Sequence, residues 1–295
     1  MKNNETTIIN LLKSNQYGRT YTQAFFYIVQ LGTGGVGSEV TRQLSQMLAA
    51  SKSPHTYILA DPDTIDKKNL RNQIFLEEEV GLKKAEVLAE RYSSVYNLNM
   101  YSFTEKYIES HQELRTLYSS EYIVNSDYTG DLQFVPILIG AVDNAFTRIV
   151  MNDFFNTIQD IVYIDAGNES IIVPKDWRER PKQLWTDEEL AEYNNSGWTG
   201  QVVCGVKFKG QYQPPFAEVY PDVFDETTNE SIRPSEISCV DLAASDPQRT
   251  IVNKYSSLAV CTFLSEIIEN YTISNHETRF HAKRGYMRSL DYISN

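Results

Sequence analysis

Cysteine is scarce in this chain of 295 residues: it has only Cys204, Cys239 and Cys261, and no two of them form a CxxC pair. That excludes a disulfide framework and a cysteine-based zinc site, and it suits a reducing, cytoplasmic setting. Long apolar runs are missing too, and none approaches the roughly 20 residues that a membrane span requires. Residues 1–15 are polar and of mixed charge, so no secretion signal is expected. Cations are in deficit, with 27 Lys and Arg against 39 Asp and Glu for a formal net charge of −12. Such a chain repels phosphate-rich partners at long range, which argues against a general nucleic-acid or anionic-membrane binder and suits a basic protein partner. Only 276–288, with His276, Arg279, His281, Lys283, Arg284 and Arg288, reverses the sign, and it reads as a solvated face or edge strand. The four histidines are scattered without ligand spacing, so no metal is assigned to them.

Apolar periodicity marks strands at 25–31, 56–60, 98–103, 134–141 and 161–165, with helices at 37–50, 83–97, 109–119 and 144–159 between them. Strands alternating with helices imply a parallel sheet with right-handed crossovers. The predicted class is therefore α/β: a Rossmann-like, mostly parallel sheet with helices on both faces. An N-terminal helical segment (1–20) precedes the nucleotide-binding domain (21–168), and a loop-rich extension (169–295) completes the sheet. The extension begins with a charged, Pro- and Trp-rich excursion at 174–196 that holds a short helix at 186–193. A strand follows at 200–206, then loop over 210–235, and finally a long helix over 246–270 that suits a core or a dimer interface.

The strand 25–31 runs straight into Gly32-Thr33-Gly34-Gly35-Val36-Gly37. In this pattern Gly32 permits the tight turn, Gly34 lets backbone N–H groups approach phosphate oxygens, and Gly37 lets the next helix pack closely on the strand. Asp61 ends the second strand, where a ribose hydroxyl would be bound. A polar series follows: Asp63, Asn69, Arg71 and Gln73, then Gly81 and Lys83-Lys84. A hydride-transfer enzyme needs no such crowd beyond its ribose carboxylate, whereas a triphosphate needs cations, a carboxylate for magnesium and positioning amides. Asp143, with Asn144, ends the strand 134–141, and Arg148 lies one helical turn on. Asp143 faces the crevice either as the metal ligand or as a helix cap supported by Asn144.

Together these residues resemble the adenylyltransferases of the ThiF/MoeB and ubiquitin-activating-enzyme type. The resemblance rests on the GxGGVG loop, on Asp61 and Asp63 leading to Asn69, Arg71 and Gln73, on Gly81 to Lys84, and on Ala141-Val142-Asp143-Asn144 with Arg148. In texture it points to the stand-alone ThiF-like proteins of phages, plasmids and mobile elements, including the PRTRC-system type. It implies that ATP is held by Gly32, Gly34, Gly35, Gly37 and Asp61, with Asp63 and Asn144 alongside. Asn69 and Gln73 would position the phosphates, Arg71 and Lys84 would clamp them, and Asp143 would coordinate Mg2+. The implied reaction is attack by a C-terminal carboxylate of a small ubiquitin-like or sulfur-carrier protein on the α-phosphorus, by an enzyme acting as a homodimer.

The chain departs from the family pattern in places. The family sets arginine directly before glutamine, whereas this chain reads Arg71-Asn72-Gln73. Cys239, within Cys239-Val240-Asp241-Leu242-Ala243, resembles the reactive cysteine of several members, although a lone cysteine is more often a small buried hydrophobe. Arg19 is the one arginine before the loop that could reach a neighbouring subunit. Three rival readings stay open: a carboxylate on a peptide or on modified tRNA as the substrate, a nicotinamide-dependent dehydrogenase, and a degenerate nucleotide-binding scaffold.

Overall fold

The computed structural model describes residues 8–12, 21–118, 132–224, 233–236 and 247–291. Five parallel strands form its centre: β2 (Gln23–Leu31), β3 (His55–Ala60), β4 (Met100–Phe103), β5 (Leu132–Gly140) and β6 (Ile161–Asn168). They lie in the order β4-β3-β2-β5-β6. β7 (Thr199–Phe208), β10 (Glu277–His281) and β11 (Tyr286–Leu290) extend the sheet antiparallel from β6, and β8 (Gln211–Gln213) pairs with β7. The basic stretch expected as an edge strand is this closing hairpin.

β2 and β5 are nearly continuous apolar runs because helices cover both their faces. Phe26 and Ile28 point into one core with Val40, Leu44 and Leu48 of α1 (Gly35–Ser51), Leu88 of α2 (Lys84–Tyr96), and Val260 and Leu264 of α7 (Thr250–Asn270). Tyr27, Val29 and Leu31 point the other way, to Leu114 of α3 (His111–Thr116) and to Met151 and Phe154 of α4 (Ala145–Thr157). Each fully buried side chain of this size contributes about 1.5–3 kcal/mol. Pro136, which has no N–H to give, stands just before β5 begins to pair with β6 at Ile137 and Val162.

Three expectations change. In place of a helical N-terminal segment, the described residues 8–12 contain the short strand β1 (Ile9–Asn10), paired with β9 (Thr272–Ile273). Ile9 and Leu11 are both buried, and their spacing of two is that of a strand. The loop expected over 210–235 holds β8 and a single helical turn, α6 (Phe216–Val219). The long helix starts at Thr250, four residues later than expected, with Arg249 at its N-cap. The excursion does carry its short helix, α5 (Asp187–Asn195), which opens on a Thr186–Glu189 capping box.

Candidate active site

The chain reverses direction across the sheet between β2 and β5, and the crevice opens at their C-terminal ends. Leu31 and Gly140 form the last rung, and the Ala141 N–H donates to Leu31 O at 2.9 Å, so the two following loops start side by side. Gly32 turns there at φ +89°, and a Cβ on it would lie 2.5 Å from Ala141 O. Both the backbone and the close approach require glycine. A Cβ on Gly37 would come within 2.1 Å of Gly32 O, so the first turn of α1 rests on the loop as expected.

A wholly buried polar network holds the loop from below. Gln30 Nε2 donates to Gly32 O at 2.8 Å and to Gly37 O at 3.0 Å. The Tyr57 hydroxyl donates to Gln30 Oε1 at 2.5 Å, and Thr41 Oγ1 donates to Gly37 O at 2.9 Å. Burial pushes the Tyr57 hydroxyl well above its ordinary pKa and keeps it a donor. Sequence reading missed Gln30 and Tyr57. The available signal was a glutamine inside an otherwise apolar strand, a residue that must find partners once buried.

Among the described residues no side chain caps α1, and its first turn carries no acid, so its free N–H groups and the positive end of its dipole stand at the crevice. Among the described residues, Gln73 Nε2 alone comes near Gly34, 3.9 Å from where a Cβ would stand, so the backbone there is approachable. Gln73 Oε1 is buried and has no hydrogen-bond partner among the described residues.

Asp61 is tied to the glycine loop: its Oδ2 accepts from the Thr33 N–H and from Thr33 Oγ1, both at 2.7 Å, and its Oδ1 accepts from the Asp63 N–H at 2.9 Å. A carboxylate accepts up to four hydrogen bonds, so Asp61 keeps one acceptor position on Oδ1 beside these three. Lys84, at the start of α2, is buried and donates to Asp63 Oδ2 at 2.8 Å. Burial alone would lower the Lys84 pKa, but Asp61, Asp63 and Asp143 outweigh it and raise the pKa above 10.5. Asp63 is the reciprocal case: burial pushes it up, yet Lys84, Tyr107 and Lys83 hold it below the ordinary carboxylate value. The Tyr107 hydroxyl donates to Asp63 Oδ1 at 2.5 Å, a contact made across 44 residues that sequence reading missed.

Lys84 is thus paired with Asp63 and feels the charges of Asp61 and Asp143, and Asp143 itself is exposed. Arg71 ends the turn Lys67–Arg71, exposed and without a hydrogen bond or ion pair among the described residues, two positions before Gln73. Asn69, expected to position the phosphates, is buried, and its Oδ1 accepts from the Asp66 N–H at 2.7 Å, which shapes that turn. Asn144 caps α4, accepting from the Thr147 N–H at 2.8 Å, and so takes the capping role that one reading gave to Asp143. Arg148 fastens the loop from below: its Nη2 donates to Val142 O at 2.9 Å and to Ala166 O at 2.5 Å, and its Nη1 lies 3.6 Å from Asp165 Oδ2. Cys239 and Arg19 lie outside the described residues. Cys204 and Cys261 are core residues, with thiol pKa values raised by burial.

A profile of the ThiF family matches residues 22–280. Among curated proteins, none is similar in sequence. Among solved structures, the fold is similar to that of MccB from E. coli with AMPCPP and MccA, at a TM-score of 0.54 and 15% identity over 91% of this chain. MccB with ATP gives a TM-score of 0.53 and 15% identity over 90% of this chain, and PaaA gives 0.52 and 14% over 91%. The matched region spans 64%, 63% and 64% of those three chains, respectively.

Proposed function

Because this chain belongs to the ThiF family, we propose that it transfers the adenylyl group of ATP to the C-terminal carboxylate of a small protein or peptide. The supporting observation is the buried Lys84, paired with Asp63 at 2.8 Å, together with Asp61 tied to the glycine loop through Thr33 and a helix N-terminus without a side-chain cap at the end of that loop. A carboxylate is already nucleophilic at neutral pH, so the site has no need of a general base. Its task is charge neutralisation and in-line alignment. The acceptor carboxylate oxygen forms a bond to the α-phosphorus, the bond to the β-phosphate oxygen breaks, and pyrophosphate leaves. Lys84 and Arg71 offset the charge that gathers on the leaving group, and Gln73 orients it from the side of Gly34.

A magnesium ion, if bound here, would lower the charge on the pyrophosphate leaving group, and Asp143 would be the residue to hold it. Asp143 fits this role, being exposed, without a protein partner among the described residues, and within electrostatic reach of Lys84.

The acceptor we favour is a ubiquitin-like or sulfur-carrier protein. A peptide is the second reading, supported by the structures of MccB solved with MccA. Cys239 would then attack the carbonyl carbon of the acyl-adenylate through its thiolate, forming a thioester as the acyl–phosphate bond breaks and AMP leaves, and a homodimer would be the working unit. Pyrophosphate exchange with candidate carriers ending in glycine tests the reading. Exchange that disappears when the carrier's terminal carboxylate is amidated supports it. Nicotinamide absorbance changes without pyrophosphate release would replace it with a dehydrogenase.

A further inference from the structure

Gly35 is crowded by a residue from the far end of the chain. A Cβ on Gly35 would lie 2.2 Å from Asn253 Nδ2 and 3.0 Å from its Cγ. Asn253 sits in the first turn of α7 and is 2% exposed, so its carboxamide is packed against the first residue of α1.

The other end of that amide is accounted for. The Ser256 hydroxyl donates to Asn168 Oδ1 at 2.5 Å, and Asn168 Nδ2 donates to Asn253 Oδ1 at 3.1 Å. This relay fixes which way the Asn253 amide faces and leaves Nδ2 as the group turned towards the glycine loop. Among the described residues Nδ2 has no acceptor. The residue it faces, Gly35, opens α1, whose first N–H groups also lack a side-chain cap among the described residues. Two independent features therefore call for an anionic oxygen at one point: an uncapped helix of 17 residues and a buried carboxamide aimed into its first turn.

We infer that Asn253 Nδ2 is a hydrogen-bond donor to a phosphate oxygen of the bound nucleotide, carried to the glycine cradle by α7 and oriented by Asn168 and Ser256. The inference rests on the nucleotide reading above and adds a binding residue to it. It also explains Gly35, because any side chain there would displace the amide.

Calorimetric titration with ATP and with adenosine, on the intact chain and on Asn253→Asp and Asn253→Ala, tests it. Asn253→Asp is nearly isosteric but replaces the donor with a charged acceptor. It should weaken ATP by about tenfold or more while leaving adenosine within about twofold. Asn253→Ala should weaken ATP by roughly three- to tenfold. The side-chain amide resonance of Asn253 in the unmodified protein should move on adding ATP and stay in place on adding adenosine, a readout that needs no variant to fold. An unmoved resonance, or equal losses for ATP and adenosine in both variants, overturns the inference while leaving the adenylyl-transfer reading intact. Failure of the unmodified protein to bind ATP at all overturns both.

Discussion

The Lys84 ammonium donates to Asp63 Oδ2 at 2.8 Å, and this one contact joins the start of α2 to the loop that leaves β3. The lysine is buried, with a side-chain exposure of 8%, while the aspartate keeps 37% of its side chain open. A cation is thereby held beneath the crevice with Asp61 and Asp143 in its field, already placed before a triphosphate arrives.

Removing that cation should cripple the reaction more than the fold. Lys84→Ala is expected to lower carrier-dependent pyrophosphate exchange by about 10²–10³-fold, the usual loss for one preorganised electrostatic group. Asp63→Asn, which keeps Lys84, should lose less. Equal exchange in Lys84→Ala and wild type would remove Lys84 from the chemistry.

The same pair sets a pH window for stability. Asp63 titrates below its ordinary 3.8 in the folded chain, so its contribution is present above 3.8 and is lost as pH falls through the lowered value. Lys84 titrates above 10.5, so its contribution is present below 10.5 and is lost as pH rises through the raised value. The difference in melting temperature between wild type and Asp63→Asn should stay level at neutral pH and shrink under acid below 3.8. A difference that grows in acid would contradict the assignment.

The network under the glycine loop should matter to stability and binding together. Gln30→Leu strips donors from Gly32 O and Gly37 O and an acceptor from Tyr57, and is expected to cost about 2–3 kcal/mol. Tyr57→Phe removes one hydroxyl and should cost about 1 kcal/mol. Denaturant unfolding measures both, and equal stability of the two variants would show that the loop does not depend on Gln30.

Arg148 and Asp165 form a buried pair, with side-chain exposures of 8% and 0%. Burial pushes the Asp165 carboxyl up and Arg148 pulls against it, so Arg148→Ala leaves a buried carboxylate without its cation. The expected loss is about 3–5 kcal/mol in unfolding free energy, with Asp143 less well placed because Val142 O loses its anchor. A change below about 1 kcal/mol would mean that Asp165 is protonated and indifferent to Arg148.

What could be read from sequence was local. The apolar run before Gly32 and the acid after each strand are motifs within a few residues of one another, and the structure puts Asp61, Lys84 and Asp143 in one electrostatic neighbourhood. Contacts made across long stretches of chain escaped: Tyr107 on Asp63, Asn253 on Gly35, and Ile9 paired with Ile273. Asn69 and Asn144 illustrate a different limit. Both stand where a ligand residue was expected, yet their short amides serve the backbone of their own turns, a use common for asparagine that no motif distinguishes.

In the proposed reaction Arg71, Lys84 and Asp143 surround the triphosphate of a nucleotide cradled by residues 32–37. A crystal structure of the chain with magnesium and a non-hydrolysable ATP analogue tests it most directly. The expected density has phosphates over Gly34 and Gly35, Lys84 and Arg71 on their oxygens, and the metal on Asp143. Phosphates bound elsewhere, or a metal held without Asp143, would contradict it.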